Sequence, residues 1–141
     1  MKTTALEKFQ VFYQMVNQLA PLYKDVSESQ KQFLETTVGA AIFYLPKNKS
    51  KHFTGKISEE SKKNGERVEE HHYPRKWSAQ QLLLNPPQCL EELMRDVNNK
   101  YLTYNYTTKA ENSRLRDHQK VGVFVSPETS YEAAGITLTD M

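Results

Sequence analysis

The chain has 141 residues, of which 38% are hydrophobic and 26% are charged, and its formal net charge is +2. These values are typical of one globular domain with a core and argue against a disordered chain. No apolar run approaches the roughly 20 residues of a membrane helix, and the first residues lack the apolar stretch of a signal peptide. The single cysteine excludes an internal disulfide and a four-cysteine zinc cage. We therefore expect a cytoplasmic protein without a membrane partner.

The positive charge is concentrated in the middle of the chain. Residues 1–46 hold four basic and four acidic side chains, residues 47–120 hold fifteen and ten, and residues 121–141 hold three acidic ones. The densest basic segment is a group of four lysines: Lys47, Lys49, Lys51 and Lys56. Clustered lysines favour a polyanionic partner, because neutralising phosphates releases counterions. A solvated loop of mixed charge explains the pattern equally well.

Two amphipathic helices are predicted in the first third of the chain. Residues 4–22 carry apolar side chains at spacings of three and four. The second helix is predicted to begin at Ser27, because Ser27 and Gln30 have the pattern of a capping box, and to end before Pro46. Together they predict a helical hairpin over residues 1–46, and we assign its apolar faces to the core.

Short elements are predicted in the centre of the chain. A helix is expected over residues 58–63, and residues 68–73 predict a strand that ends at Pro74. Two more short helices follow, over residues 78–84, where a capping box opens the helix, and over residues 88–97.

The clearest strand is predicted over residues 101–107, which are dense in aromatic and β-branched side chains. It leads into a capping box formed by Thr108 and Glu111, so a helix is predicted to begin there with Asn112 in its first turn. A last strand is predicted over residues 121–125.

A metal-site motif can be read from the residues that close the first predicted strand. Glu70, His71 and Pro74 are followed by a second strand and then by the helix that carries Asn112. This order resembles the HNH endonuclease family, whose strand–strand–helix unit, the ββα-metal fold, holds one divalent metal ion. Its first motif is a metal ligand, then a general-base histidine, then a proline three residues after the base. The resemblance implies that Glu70 is a metal ligand and that His71 is the catalytic base.

The closing motif of the family's homing-endonuclease branch is a tryptophan-containing strand followed by Thr-x-x-Glu-Asn-Ser. Residues 106–113 read Tyr-Thr-Thr-Lys-Ala-Glu-Asn-Ser, with Tyr106 in place of the tryptophan. The resemblance covers about residues 66–118 and depends on both motifs together. It implies that Asn112 is the second metal ligand.

The chain departs from the family pattern in several places. The first ligand is Glu70 rather than the commoner Asp or His, and its distance along the chain to Asn112 is longer than usual. For the family's middle asparagine, Asn99 is the best match and Asn98 the next. Arg116 stands where a further helix histidine would be. The resemblance therefore implies a two-ligand site completed by water and phosphate oxygens.

The chemistry of these side chains is consistent with phosphodiester hydrolysis. That reaction needs a base, for which the unperturbed imidazole pKa of about 6.5 is suitable, and a Lewis acid. A carboxylate with an amide oxygen favours Mg²⁺ or Mn²⁺ over Zn²⁺. We predict nucleic-acid contacts beside the first strand, in the lysine group and on the last helix: Arg75, Lys76, His72, Lys47, Lys49, Lys51, Arg114 and Arg116.

Each motif taken alone has a simpler explanation. A Glu-Glu-His-His run is commonly polar strand surface, and an asparagine in a first helical turn is usually an ordinary polar residue. His71 and His72 leave a strand on opposite faces, so only one of them can be the base. A zinc site is a further alternative, although its members match no standard ligand spacing: His52, His71, His72 and His118.

The sequence therefore predicts an α+β protein in which a helical hairpin, residues 1–46, precedes a ββα-metal (HNH) core with inserted short helices, residues 47–141. The predicted function is metal-dependent hydrolysis of DNA phosphodiester bonds. A non-catalytic nucleic-acid-binding protein on a degenerate HNH scaffold and an RNA-directed nuclease are the alternatives. A homodimer is compatible with the sequence.

Overall fold

The computed structural model describes residues 3–46 and 48–141. The α-helices are α1 (Thr3–Tyr23), α2 (Glu28–Ile42), α3 (Glu59–Asn64), α4 (Arg75–Leu84), α5 (Leu90–Asp96), α6 (Lys109–Leu115) and α7 (Pro127–Ala133). The strands are β1 (Phe53–Ser58), β2 (Val68–His71), β3 (Tyr104–Thr107) and β4 (Leu138–Asp140). Short 3₁₀ turns cover Lys49–His52 and Arg116–His118, and a π-helical turn covers Val97–Tyr101.

The first two helices are confirmed. At the start of α2 the Ser27 hydroxyl accepts a hydrogen bond from the Gln30 amide, and the Gln30 side chain accepts one from the Ser27 amide. This capping box satisfies two amides that the helix itself leaves unbonded. Both α1 and α2 pack on α4, and their apolar faces share one buried cluster with α4 and α5. The helical hairpin therefore shares its core with the elements that follow it.

The sheet has the strand order β2-β3-β1-β4, so β2 lies at one edge. β2 and β3 are antiparallel, β1 and β3 are parallel, and β1 and β4 are antiparallel. In the β2–β3 pair, Glu70 lies opposite Asn105 and His71 lies opposite Tyr104. Because side chains alternate along a strand, this register decides which of them share a face.

The predicted α+β class is confirmed: seven α-helices accompany a mixed four-stranded sheet in the described residues. Helices α4 and α5 lie between β2 and β3 in the chain, and α6 follows β3 directly. None of the helices in residues 3–46 and 48–141 is both long and apolar enough to cross a bilayer.

The strand predicted over residues 121–125 is wrong. The segment forms a turn, in which Gly122 has a φ of 89°, in the left-handed region that favours glycine. Only Phe124 is buried, while Val123 and Val125 are exposed. Strands β1 and β4 were not predicted, since each is short and depends on partners distant in sequence. Helix α7 was missed although Ser126 caps it and Pro127 opens its first turn.

Several element boundaries differ from the prediction. β2 ends at His71 rather than at Tyr73, and α5 covers Leu90–Asp96 rather than residues 88–97. α4 begins at Arg75, because the Ser78 hydroxyl donates to the carbonyl of Pro74 instead of capping a helix. β3 begins at Tyr104 rather than at Tyr101, because α5 continues into the π-helical turn and Tyr101 is buried in the helical core. Tertiary packing thus overrides the local strand propensity.

Helices α2 and α4 approach each other closely at Gly39. A Cβ atom at this position would lie 2.9 Å from both the Cγ and the carbonyl oxygen of Arg75. Alanine normally stabilises a helix interior relative to glycine, but here Gly39→Ala should reduce the free energy of unfolding by about 1–3 kcal/mol, because the helices must separate. Urea unfolding measures the change. Thr36→Ala, on the exposed side of α2, is the control and should change stability by about 0.5 kcal/mol or less. A stabilising Gly39→Ala would contradict the close packing.

Candidate functional site

The start of α6 is fixed by a buried polar network. The Thr108 hydroxyl accepts a hydrogen bond from the Glu111 amide, and the Glu111 carboxylate accepts one from the Thr108 amide, which confirms the predicted capping box. Glu111 is 2% exposed and also accepts a 2.6 Å hydrogen bond from Ser58 at the end of β1. The Thr108 hydroxyl donates to Glu60 in α3. The first turn of α6 is therefore held against β1 and α3.

Asn112 lies in this first turn and faces back towards β3. Its Oδ1 atom accepts a 2.5 Å hydrogen bond from the Thr107 hydroxyl. Thr107 is the last residue of β3 and pairs with Val68. Alternation along the paired strands puts Thr107 on the same face of the sheet as Glu70.

Glu70 is a half-buried carboxylate. Gln119 donates a 2.6 Å hydrogen bond to its Oε1 atom. Within residues 3–46 and 48–141, no lysine or arginine forms an ion pair with it. Burial raises its pKa to about 7, and the Gln119 hydrogen bond opposes that shift only in part. A carboxylate in this position is stabilised by a proton or by a cation.

His72 lies on the same face as Glu70. Its ring meets the ring of Tyr131 edge-on at 5.8 Å, and Tyr131 donates a 2.8 Å hydrogen bond to Oδ1 of Asn105. His72 Nε2 and Asn105 Nδ2 are buried and have no hydrogen-bond partner in the described part of the chain. Burial lowers the pKa of His72, while the neighbouring Asn105 side chain and the Glu128 charge act weakly to raise it.

Sequence reasoning missed Asn105 and Tyr131. Asn105 stands between two tyrosines in β3 and is fully buried, so a lone polar residue inside an aromatic strand was the available signal. Tyr131 gave no such signal, because it lies on α7 and meets Asn105 only in the folded chain.

His71 lies on the other face of β2. Phe43 packs edge-on against its ring at 4.3 Å, and the imidazole borders a pocket of about 120 Å³ that Lys49 and Arg75 also line. Burial is the main cause that lowers the pKa of His71 to about 4, followed by the charges of Arg75 and Lys49 and then by His72 and His52. The imidazole is therefore neutral at pH 7, and its lowered pKa makes it a weaker base than an ordinary imidazole.

The structure thus separates the predicted site residues into two groups. Glu70, His72 and the Thr107-bound Asn112 belong to the face covered by α6 and α7. His71 shares the opposite face with Lys49 and Arg75, two of the predicted nucleic-acid contacts.

The other predicted site residues are dispersed. Asn99 is exposed in the π-helical turn, and the Asn98 carbonyl lies 3.4 Å from Nδ1 of His52. Lys51 borders a separate groove beside α1. Three further predicted nucleic-acid contacts are exposed: Lys76, Arg114 and Arg116. The Arg114 guanidinium donates a hydrogen bond to the carbonyl of Ala134. Lys47 lies outside the described residues.

The donor chemistry around Glu70 fits a hard divalent cation better than zinc. No group of three His, Cys, Asp or Glu side chains comes together in residues 3–46 and 48–141, so the four histidines do not assemble a zinc site there. Glu70 and Asn112 supply a carboxylate and an amide oxygen, and Mg²⁺ commonly keeps several waters beside one or two protein ligands.

Comparisons of the chain with protein-family models, with curated proteins and with solved structures find no match. These comparisons therefore assign no family to the chain.

The half-buried Glu70 carboxylate leads to a prediction about the stability of the protein in the absence of metal. Below the ordinary pKa of 4.5, Glu70 is protonated in both the folded and the unfolded chain. Between pH 4.5 and about 7 only the unfolded chain loses the proton, so stability falls as the pH rises through this window. Glu70→Gln imitates the protonated form and should be more stable than the parent at pH 8 by about 1–3 kcal/mol, with no advantage below pH 4.5.

Urea unfolding in chelator from pH 4 to pH 8 measures this difference. Glu69→Gln, at the exposed neighbouring position, is the matched control and should give no comparable pH-dependent gain. A Glu70→Gln protein that is less stable than the parent at pH 8 would show that the carboxylate is well solvated or paired.

Proposed function

We propose that this protein is a metal-dependent endonuclease that hydrolyses DNA phosphodiester bonds with one Mg²⁺ or Mn²⁺ ion. One observation carries the proposal: the half-buried Glu70 carboxylate, without a cationic partner in the described part of the chain, lies on the sheet face onto which Thr107 directs the Asn112 amide oxygen. Antiparallel β2 and β3 followed by α6 agree with the strand–strand–helix order of the HNH resemblance.

Glu70 and Asn112 would hold the ion. When bound, the ion supplies a Lewis acid for charge that develops on the phosphate. The ion also supplies the positive charge that the half-buried carboxylate lacks, so its binding and the ionisation of Glu70 favour each other. The hydrogen bonds from Gln119 and Thr107 restrict the rotation of the two ligand side chains.

His71 is the proposed general base. Because β2 is an edge strand, no strand separates its outer edge from a substrate, and side chains from both of its faces border that edge. The neutral imidazole takes a proton from water as the water oxygen attacks phosphorus. The bond from phosphorus to the 3′ oxygen breaks, the leaving oxygen takes a proton from solvent, and the products are a 5′-phosphate and a 3′-hydroxyl.

His72 is the alternative base. It shares a face with Glu70, which favours it, but its ring is packed against Tyr131 and its Nε2 atom is buried. The His71 ring borders a pocket at the protein surface, and this accessibility favours His71.

Metal dependence is the first prediction of the proposal. Purified protein should cut plasmid DNA with Mg²⁺ or Mn²⁺ and lose this activity in excess chelator, because the proposed ligands are oxygen atoms. Duplex DNA, single-stranded DNA and RNA at matched salt identify the preferred substrate. Cleavage of RNA alone would support the RNA-directed alternative, and metal-independent binding without cleavage would support the non-catalytic one.

The second prediction is that the base and the metal ligands affect different measured quantities. His71→Ala should slow single-turnover cleavage by about 10²–10⁴-fold and leave Mn²⁺ affinity nearly unchanged, since the base contacts water and not the ion. Glu70→Ala and Asn112→Ala should weaken Mn²⁺ binding and regain part of their activity at high Mn²⁺. Glu91→Ala, which removes an exposed carboxylate of α5, is the control for Glu70→Ala.

The same assay with His72→Ala separates the two candidate bases. If His72→Ala is inactive and His71→Ala is active, the base is the histidine on the Glu70 face. If all of these variants cut DNA normally, the active site lies elsewhere.

A further inference from the structure

The pocket beside His71 is built by four separate segments of the chain. Phe43 follows the end of α2, Lys49 and His52 come from the 3₁₀ turn, Arg75 begins α4, and His71 and Tyr104 come from the sheet. The pocket volume is about 120 Å³, which suits one small group and not a whole nucleotide. Its place on the face of β2 opposite the Glu70 side chain separates it from the proposed metal ligands.

The pocket has an excess of unpaired positive charge. In residues 3–46 and 48–141, neither Lys49 nor Arg75 forms an ion pair, and neither side chain makes a hydrogen bond to protein. Glu69 is the one carboxylate on the pocket wall in this part of the chain, and it is exposed and paired with neither cation. Two cations held beside one pocket repel each other, and an anion between them relieves that repulsion.

Arg75 is oriented for such an anion. Its guanidinium carbon lies 4.6 Å from the centre of the Phe43 ring, and its Cγ atom lies where a side chain on Gly39 would clash. These contacts hold the stem and one planar face of the side chain. The N–H groups at the edge of the guanidinium have no partner within the described residues, and this edge is the part that matches phosphate oxygens.

We propose that this pocket binds one phosphate group of a nucleic-acid strand, with Arg75 and Lys49 as the charged contacts and His52 at the pocket wall. That the phosphate belongs to a nucleic acid rests on the proposed nuclease function, whereas its binding depends on the pocket alone. The site needs no metal ion, because its own cations balance the phosphate charge. It would position the strand along β2, beside the edge at which hydrolysis is proposed.

The test uses the 141-residue protein in chelator, with inorganic phosphate as the first probe and calorimetry as the measurement. Lys49→Gln and Arg75→Gln should each weaken phosphate binding about tenfold, which corresponds to the loss of one charge-assisted hydrogen bond. Two variants control for the loss of charge. Arg67→Gln removes an arginine that is likewise stacked on an aromatic ring, that of Tyr106, and Lys63→Gln removes an exposed lysine of α3. Both controls should bind phosphate within twofold of the parent.

Two oligonucleotides identify the source of the phosphate. If a 5′-phosphorylated strand binds more tightly than the same strand with a 5′-hydroxyl, and Lys49→Gln removes the difference, the pocket takes a terminal phosphate. If Lys49→Gln weakens both strands equally, the pocket takes a backbone phosphate. Either result supports the proposal.

Equal phosphate affinity of Lys49→Gln and Lys63→Gln would overturn the proposal. Lys49 is exposed in a short turn, so this comparison holds even if Arg75→Gln disturbs the packing of α2 on α4. The outcome is also independent of catalysis. If the protein binds phosphate but shows no metal-dependent cleavage, the nuclease proposal is refuted and the phosphate-pocket proposal stands. If the protein cleaves DNA but both pocket variants bind phosphate like the parent, the phosphate-pocket proposal is refuted and the nuclease proposal stands.

Discussion

The antiparallel register between β2 and β3 is the constraint on which the candidate site depends. It sets Glu70 opposite Asn105 and His71 opposite Tyr104, and a slip of one residue would exchange the two faces for every side chain of β2. Beyond the last pair, the His72 amide still donates to the carbonyl of Thr103 at 3.1 Å. The buried network at the start of α6 then fixes the helix to the same sheet. The position of each ionisable side chain therefore follows from strand pairing and helix capping.

The two faces of β2 would be stabilised by ligands of opposite charge. Burial favours the neutral form of both Glu70 and His71, so the pKa of the carboxyl rises to about 7 and that of the imidazole falls to about 4. The carboxylate is stabilised by an added cation, and the pocket with Lys49 and Arg75 is stabilised by an added anion. A metal ion together with a phosphodiester supplies both charges at once. This complementarity connects the proposed metal ligands with the proposed phosphate pocket, although they occupy opposite faces of the strand.

Two helix starts were predicted from local signals. The capping boxes at Ser27 and Thr108 each satisfy helix amides within four residues, and both are present. Strands β1 and β4 could not be predicted in this way, because their few residues gain hydrogen bonds only from each other and from β3. The same limit applies to the site. The motifs identified Glu70, His71 and Asn112 as candidates, but only the folded chain brings Lys49 to Arg75.

The most direct test of the central claim is the position of the metal ion. A crystal structure of the protein with Mn²⁺ and a DNA strand, with anomalous scattering to locate the manganese, would show where the ion binds. We predict one manganese ion coordinated by a carboxylate oxygen of Glu70 and by Oδ1 of Asn112, at about 2.1 Å from each, with a phosphate oxygen among its other ligands. A manganese ion bound to the DNA phosphate but coordinated by other side chains, with the Glu70 carboxyl still buried against Gln119, would contradict the account.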